Sequence, residues 1–167
     1  RAVTGAIESV RLTEKGVEYR TIGDAPAIGL CGSGIIDAVA ELHKWGLINE
    51  RGRFNQTSSR VHRDERGLEF QISGGKDGEG RVVITQKDVD QVQLAKGAIR
   101  AGLTALMQET GTSPDAVREV ILAGAFGTYI NIASAVYMGL LPWFKNAVYK
   151  HVGNAAGHGA KMTLLSK

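Results

Sequence analysis

The sequence predicts an α/β domain, and three observations lead there. The first 22 residues hold two runs of two-residue alternation joined by a turn. Later stretches change to three- and four-residue spacing. Towards the end, short apolar runs break into glycine turns that open new helical patterns. Antiparallel hairpins therefore come early and βα units late.

The elements follow in order. Ala6–Leu12 and Val17–Ile22 alternate as strands, and Thr13-Glu-Lys-Gly16 between them has hairpin-turn chemistry. After Gly29-Leu-Cys-Gly-Ser-Gly34 the period changes, and Ile35, Val39, Leu42 and Leu47 fit an amphipathic helix from about Gly34 to Trp45. Residues 49–67 are polar and read as a surface loop. Leu68–Ile72 and Arg81–Ile84 form a second hairpin across the glycine-rich stretch 73–80. Thr85-Gln-Lys-Asp88 has capping-box spacing and starts a helix with an apolar stripe at Val89, Val92, Ala95, Ile99, Leu103 and Leu106. Gly111 stops that helix, and Ser113-Pro114 caps a short one. A strand over 119–123 turns through Gly124 into a helix capped by Asn131. Val148–Val152 is a further strand, and Asn154 caps a last helix rich in small residues.

Composition narrows the function classes. Hydrophobic residues make up 43% and charged residues 22%, ordinary values for a globular fold. Twenty Lys and Arg against seventeen Asp and Glu give a net charge of +3, but the basic residues are scattered. No nucleic-acid footprint results, and no nucleic-acid partner is expected. The single cysteine, Cys31, excludes an internal disulfide and cannot hold a zinc ion or an iron–sulfur cluster alone. No apolar run reaches bilayer length and no signal peptide opens the chain, so no membrane partner and a cytoplasmic location are expected. The chain starts at Arg1 and reads as a piece of something longer.

Gly32-Ser33-Gly34, Gly124–Gly127 and Gly153-Asn154 share one character: each follows a strand-like segment and opens a helix. Unpaired N–H groups at a helix start form a site for phosphate. Each turn is equally explained by tight packing or a positive φ. Spacing and order separate the readings. The run Ala6-Ile-Glu…Ile22-Gly…Gly29-Leu-Cys-Gly-Ser-Gly-Ile-Ile-Asp37-Ala-Val-Ala-Glu-Leu42 resembles the second half of the ATPase domain of reductive activators of corrinoid proteins. So do Gln93-Leu-Ala-Lys-Gly-Ala-Ile-Arg100, Leu122-Ala-Gly-Ala-Phe-Gly127, Gly139-Leu-Leu-Pro142 and Val152-Gly-Asn-Ala-Ala156, in order over nearly the whole chain.

The resemblance implies a ribonuclease-H-like lobe of an actin-like ATPase fold with an inserted β-hairpin/helix subdomain. Residues 1–48 and 112–167 would form the core lobe and 49–111 the insertion. It also implies ATP or ADP with Mg²⁺ in the full protein, and a two-iron two-sulfur cluster on a ferredoxin-type domain of the same polypeptide, outside this chain. ATP would drive an electron onto the cobalt of an inactivated corrinoid protein, taking Co(II) to Co(I). The corrinoid protein is the implied partner. Rival readings are a lobe that docks that partner or forms a homodimer, and a lobe of an actin-like small-molecule kinase.

Carried over residue by residue, Gly124, Ala125, Phe126 and Gly127 match the adenosine motif, where backbone lies against the nucleoside. Gln93-Leu-Ala-Lys96 is similar to the helical motif that reaches adenine and ribose, so Gln93 and Lys96 are candidate contacts. Gly32, Ser33 and Gly34 are candidates as a phosphate-facing turn. The chain departs from the superfamily in lacking both Asp-Gly phosphate hairpins that hold Mg²⁺ and orient water. These are expected upstream of Arg1, so no catalytic or metal residue is assigned here. Asp37, inside a helix, reads as a helix-face or capping group. Cys31 reads as a buried packing residue, and Trp143-Phe144 as closing the core.

Overall fold

The structure is a computed structural model and describes residues 2–65, 67–74, 80–124 and 129–166. Strand β1 (Ala6–Thr13) turns back into β2 (Gly16–Thr21) as an antiparallel hairpin, with Leu12 opposite Val17. The alternation read from the sequence puts Ala6, Ile7, Val10 and Leu12 inside, with an irregularity in register between Ile7 and Ser9. A two-residue strand, β3 (Gly29–Leu30), lies parallel to β1 and hands the chain to helix α1 (Gly32–Lys44). Helix α1 lies on β1 because Ile36, Val39 and Leu42 recur on one face.

A carboxylate of α1 ties it to that strand: Glu41 accepts the backbone N–H of Leu12 at 2.9 Å.

A second sheet has the order β4-β5-β6, all antiparallel: β4 (Val61–Asp64), β5 (Gly67–Ser73) and β6 (Val82–Thr85). The loop expected over 49–67 is thus corrected at its end, where 61–64 is an edge strand. Only Val61 of Val61-His-Arg-Asp64 is apolar, so no alternation betrays the strand, which is held by backbone pairing to β5. Helix α2 (Gln86–Thr110) begins at Thr85 with the expected capping box and ends at Gly111, whose φ of +62° is left-handed.

The stripe expected along α2 is buried only at Val89 and Val92. From Ala95 onward the helix leaves the core, and Ile99 and Leu106 are exposed. The main core joins Ile7, Val10, Leu12, Val39 and Leu42 to Phe70, Ile72, Val82, Ile84, Val89 and Val92. It runs across position 48/49 without a break.

A 3₁₀ turn over Pro114–Ala116 leads to β7 (Glu119–Ala123). The chain then enters α3 (Ile132–Tyr137), capped by Asn131, whose side chain accepts the N–H of Ser134 at 3.3 Å. Strand β8 (Val148–Gly153) pairs parallel with β7, and α4 (Ala155–Leu165) follows under the Asn154 cap. Helix α3 packs on α1 through a smaller cluster of Ile36, Ile130, Ala135 and Leu140. Trp143 corrects another expectation: it is 71% exposed and stacks on Tyr149, while Phe144 is buried as foreseen. Among the described residues no helix is long and apolar enough to cross a membrane.

Candidate functional site

Gln93 and Lys96 occupy adjacent turns of α2, three residues apart and therefore on one face. They line a cavity of about 220 Å³ with Val39 and His43 of α1, Asn49, and Tyr137 and Met138 at the end of α3. Whole small-molecule sites measure about 300–1,000 Å³, so this volume suits one end of a nucleotide rather than all of it. The Lys96 side chain passes close to Gly139. A β-carbon on Gly139, whose φ is +73°, would sit 3.3 Å from its Cε and 3.5 Å from its Nζ. Gln93 passes close to Gly52, with 2.7 Å between its Nε2 and the site of an added β-carbon.

Gly124 follows β7 with a φ of +91°, a conformation that L side chains resist. A β-carbon there would meet nothing within 4 Å, so it would project into open space. The glycine is required by the backbone, and the space beside it is available to a ligand. Ala125, Phe126 and Gly127 lie outside the described residues.

Tyr137, the last residue of α3, lines the Gln93–Lys96 cavity, and Gly124 does not.

Gly32, Ser33 and Gly34 stand elsewhere, in the first turn of α1. A β-carbon on Gly34 would lie 2.1 Å from the Ile7 carbonyl oxygen, so this glycine lets α1 touch β1. Ser33 is buried and 3.2 Å from the buried Cys31 Sγ. None of the three lines the Lys96 cavity.

Asp37 is 5% exposed. Its Oδ1 is buried with no hydrogen-bond partner. Burial raises its pKa above the ordinary value, and the neighbouring Ser134 side chain and Val10 backbone offset part of that. Among the described residues no group of three or more His, Cys, Asp or Glu could hold a metal ion.

Sequence reasoning missed Tyr137 and Met138 as cavity residues, and the bond of 2.9 Å between His43 Nδ1 and the Tyr137 hydroxyl. These residues are 94 apart in the chain, and no local pattern joins them.

A family model described as the C-terminal domain of RACo, the ASKHA domain, matches residues 1–167. The chain is 40% identical to the corrinoid activation enzyme RamQ of Eubacterium limosum, a match covering 100% of this chain and 30% of that protein. It is 29% identical to the [Co(II) methylated amine-specific corrinoid protein] reductase of Methanosarcina barkeri, over 84% of this chain and 23% of that one. A solved structure of a reductive activator for corrinoid,iron-sulfur protein superposes with a TM-score of 0.86 at 39% identity. That match covers 99% of this chain and 27% of the solved one. The chain thus spans less than a third of the length of each.

Proposed function

From the premise that this chain belongs to the family of C-terminal ASKHA domains of RACo, we propose that it forms the nucleoside-binding side of an ATP-dependent reductive activator. That activator returns an inactivated corrinoid protein from Co(II) to Co(I) by delivering one electron. The electron comes from an iron–sulfur centre outside this chain. The two most informative relatives are named for corrinoid activation and for Co(II) corrinoid reduction, which supports the reading.

One observation carries the nucleotide part: Gln93 and Lys96, one turn apart on α2, line a single cavity with Tyr137 of α3. Backbone at Gly124 takes the nucleoside without a side chain in the way. The Lys96 ammonium and the Gln93 amide supply donors to ribose or adenine at the other end. The chain's share of the work is to bind and orient, because the acidic hairpins that would activate water are not among its residues. The polypeptide beyond this chain supplies those groups and closes on the nucleotide.

Calorimetry with ADP on the intact protein tests this. Gly124→Trp fills the open space and abolishes binding, and Lys96→Ala weakens it about tenfold, the worth of one charged hydrogen bond. Heat retained by Gly124→Trp would falsify the placement. Formation of Co(I), followed by its absorbance with the corrinoid protein present, falls in step with ADP affinity in the same variants.

A further inference from the structure

The cavity beside Gln93 and Lys96 has apolar walls as well as polar ones. Val39, Ile48 and Met138 line it, and Val39 and Ile48 belong to the buried main core. Tyr137, the last residue of α3, adds an aromatic ring that is 47% exposed. A phosphate laid on such walls would lose water without regaining hydrogen bonds, whereas the flat ring of a nucleobase suits them.

An exposed side chain at a helix end ordinarily changes rotamer within nanoseconds. Helix α1 restrains Tyr137 by three contacts. His43 Nδ1 and the Tyr137 hydroxyl are hydrogen-bonded at 2.9 Å. The imidazole meets the phenol ring edge-on, with centroids 5.6 Å apart and planes at 62°. Lys44 Nζ lies 5.2 Å from the ring centre, and Glu41 Oε1 accepts from that ammonium at 2.8 Å. Packing of α3 on α1 is already supplied by Ile36, Ile130, Ala135 and Leu140. The clamp on Tyr137 is additional to that packing, and what it fixes is the orientation of one half-exposed ring. His43 lines the same cavity, so the restraint acts at the site itself.

We propose that Tyr137 is a contact for the nucleobase and that His43 is its positioning residue, the bond between them fixing the ring as an aromatic wall of the Lys96 cavity. The proposal rests on the nucleotide reading above and names the end of the nucleotide that enters this cavity.

Calorimetry with ADP on the intact protein, joined to NMR of the bound nucleotide, tests it. Tyr137→Leu weakens binding about tenfold, as for deleting an aromatic ring that stacks on a base. Tyr137→Phe keeps the ring and loses the bond, and His43→Ala removes the bond from the other side. Each weakens binding about fivefold, the worth of one neutral hydrogen bond. The two together cost no more than either alone, because one interaction is deleted twice. His43→Asn, which restores a hydrogen-bonding group near the position of Nδ1, recovers most of the loss. Transferred NOEs join the adenine ring protons to tyrosine ring protons in wild type and vanish in Tyr137→Leu, a signature that a merely structural tyrosine would not give. Wild-type ADP affinity in either Tyr137→Phe or His43→Ala overturns the proposal and leaves the nucleotide reading standing. So do fully additive losses in the double variant, a His43→Asn loss equal to that of His43→Ala, or the lack of such NOEs in a protein that binds ADP. Absence of ADP binding by the wild-type protein overturns the nucleotide reading and this proposal together.

Discussion

Asp37 shows how a single side chain acquires a meaning that its letter does not carry. In the sequence it is one acid inside an amphipathic helix. In the structure it is buried between Val10 and Ser134, and burial raises its pKa, with Glu41 adding to the rise and Lys44 opposing it. A folded-state pKa above the unfolded one means that the native state holds more protons within that window. The contribution of Asp37 to stability is therefore fully present below the ordinary carboxylate range and is lost as pH rises through the raised pKa. Asp37→Asn cannot titrate, so urea midpoints for wild type should fall relative to this variant between about pH 4 and neutrality. Parallel pH profiles for the two proteins would show that Asp37 does not carry the effect. Glycines divide in the same way. Gly34 and Gly124 look alike in sequence, but one faces the Ile7 carbonyl and the other faces open space.

The elements with local chemical signatures were legible before any tertiary structure was known. The alternation of β1 and β2, the Thr85–Asp88 capping box, the Gly111 stop and the Asn131 and Asn154 caps all appear where the residues place them. The capping box is reciprocal: the Asp88 N–H donates to Thr85 Oγ1 at 3.2 Å, and the Thr85 N–H donates to Asp88 Oδ2 at 2.8 Å. Thr85→Ala should cost about 1 kcal/mol and lower the thermal midpoint by about 2–4 °C for a domain of this size. A midpoint unchanged in differential scanning calorimetry would mean that packing of Val89 and Val92 holds the helix start without the cap. β4 was illegible because an edge strand can be nearly all polar when backbone pairing alone holds it. The outer half of α2 misled in the opposite direction. Its spacing is that of a buried stripe, yet Ile99, Leu103 and Leu106 line an open groove of about 570 Å³ against β7.

Across the whole molecule, burial is unevenly shared. The main core draws on β1, α1, β5, β6 and the start of α2, while β7, β8 and α4 contain no buried residue. Parallel strands are ordinarily covered on both faces, but Ile121, Val148 and Val152 are exposed. Local stability follows buried apolar contact. Hydrogen exchange on the 167-residue chain should therefore show 119–123 and 148–165 opening well before 6–13, 33–44 and 67–73. Equal protection of the two regions would contradict a shared-core account of stability. Of the candidate site, the motif Gln93 to Lys96 and the Gly124 turn were readable as short patterns. The cavity that Gln93 and Lys96 line was not, since Tyr137 and His43 reach it from helices far apart in the chain.

By itself the sequence determined the α/β class, the caps and turns, the glycine at 124 and the family, because each rests on residues close in the chain or on motifs in a set order. The tertiary structure alone decided which glycine faces a neighbour and which faces space. It also decided which half of α2 is covered, and that His43 of α1 and Tyr137 of α3 meet Gln93 and Lys96 at one cavity. Those outcomes depend on contacts between residues tens of positions apart, and a one-dimensional pattern does not encode such contacts.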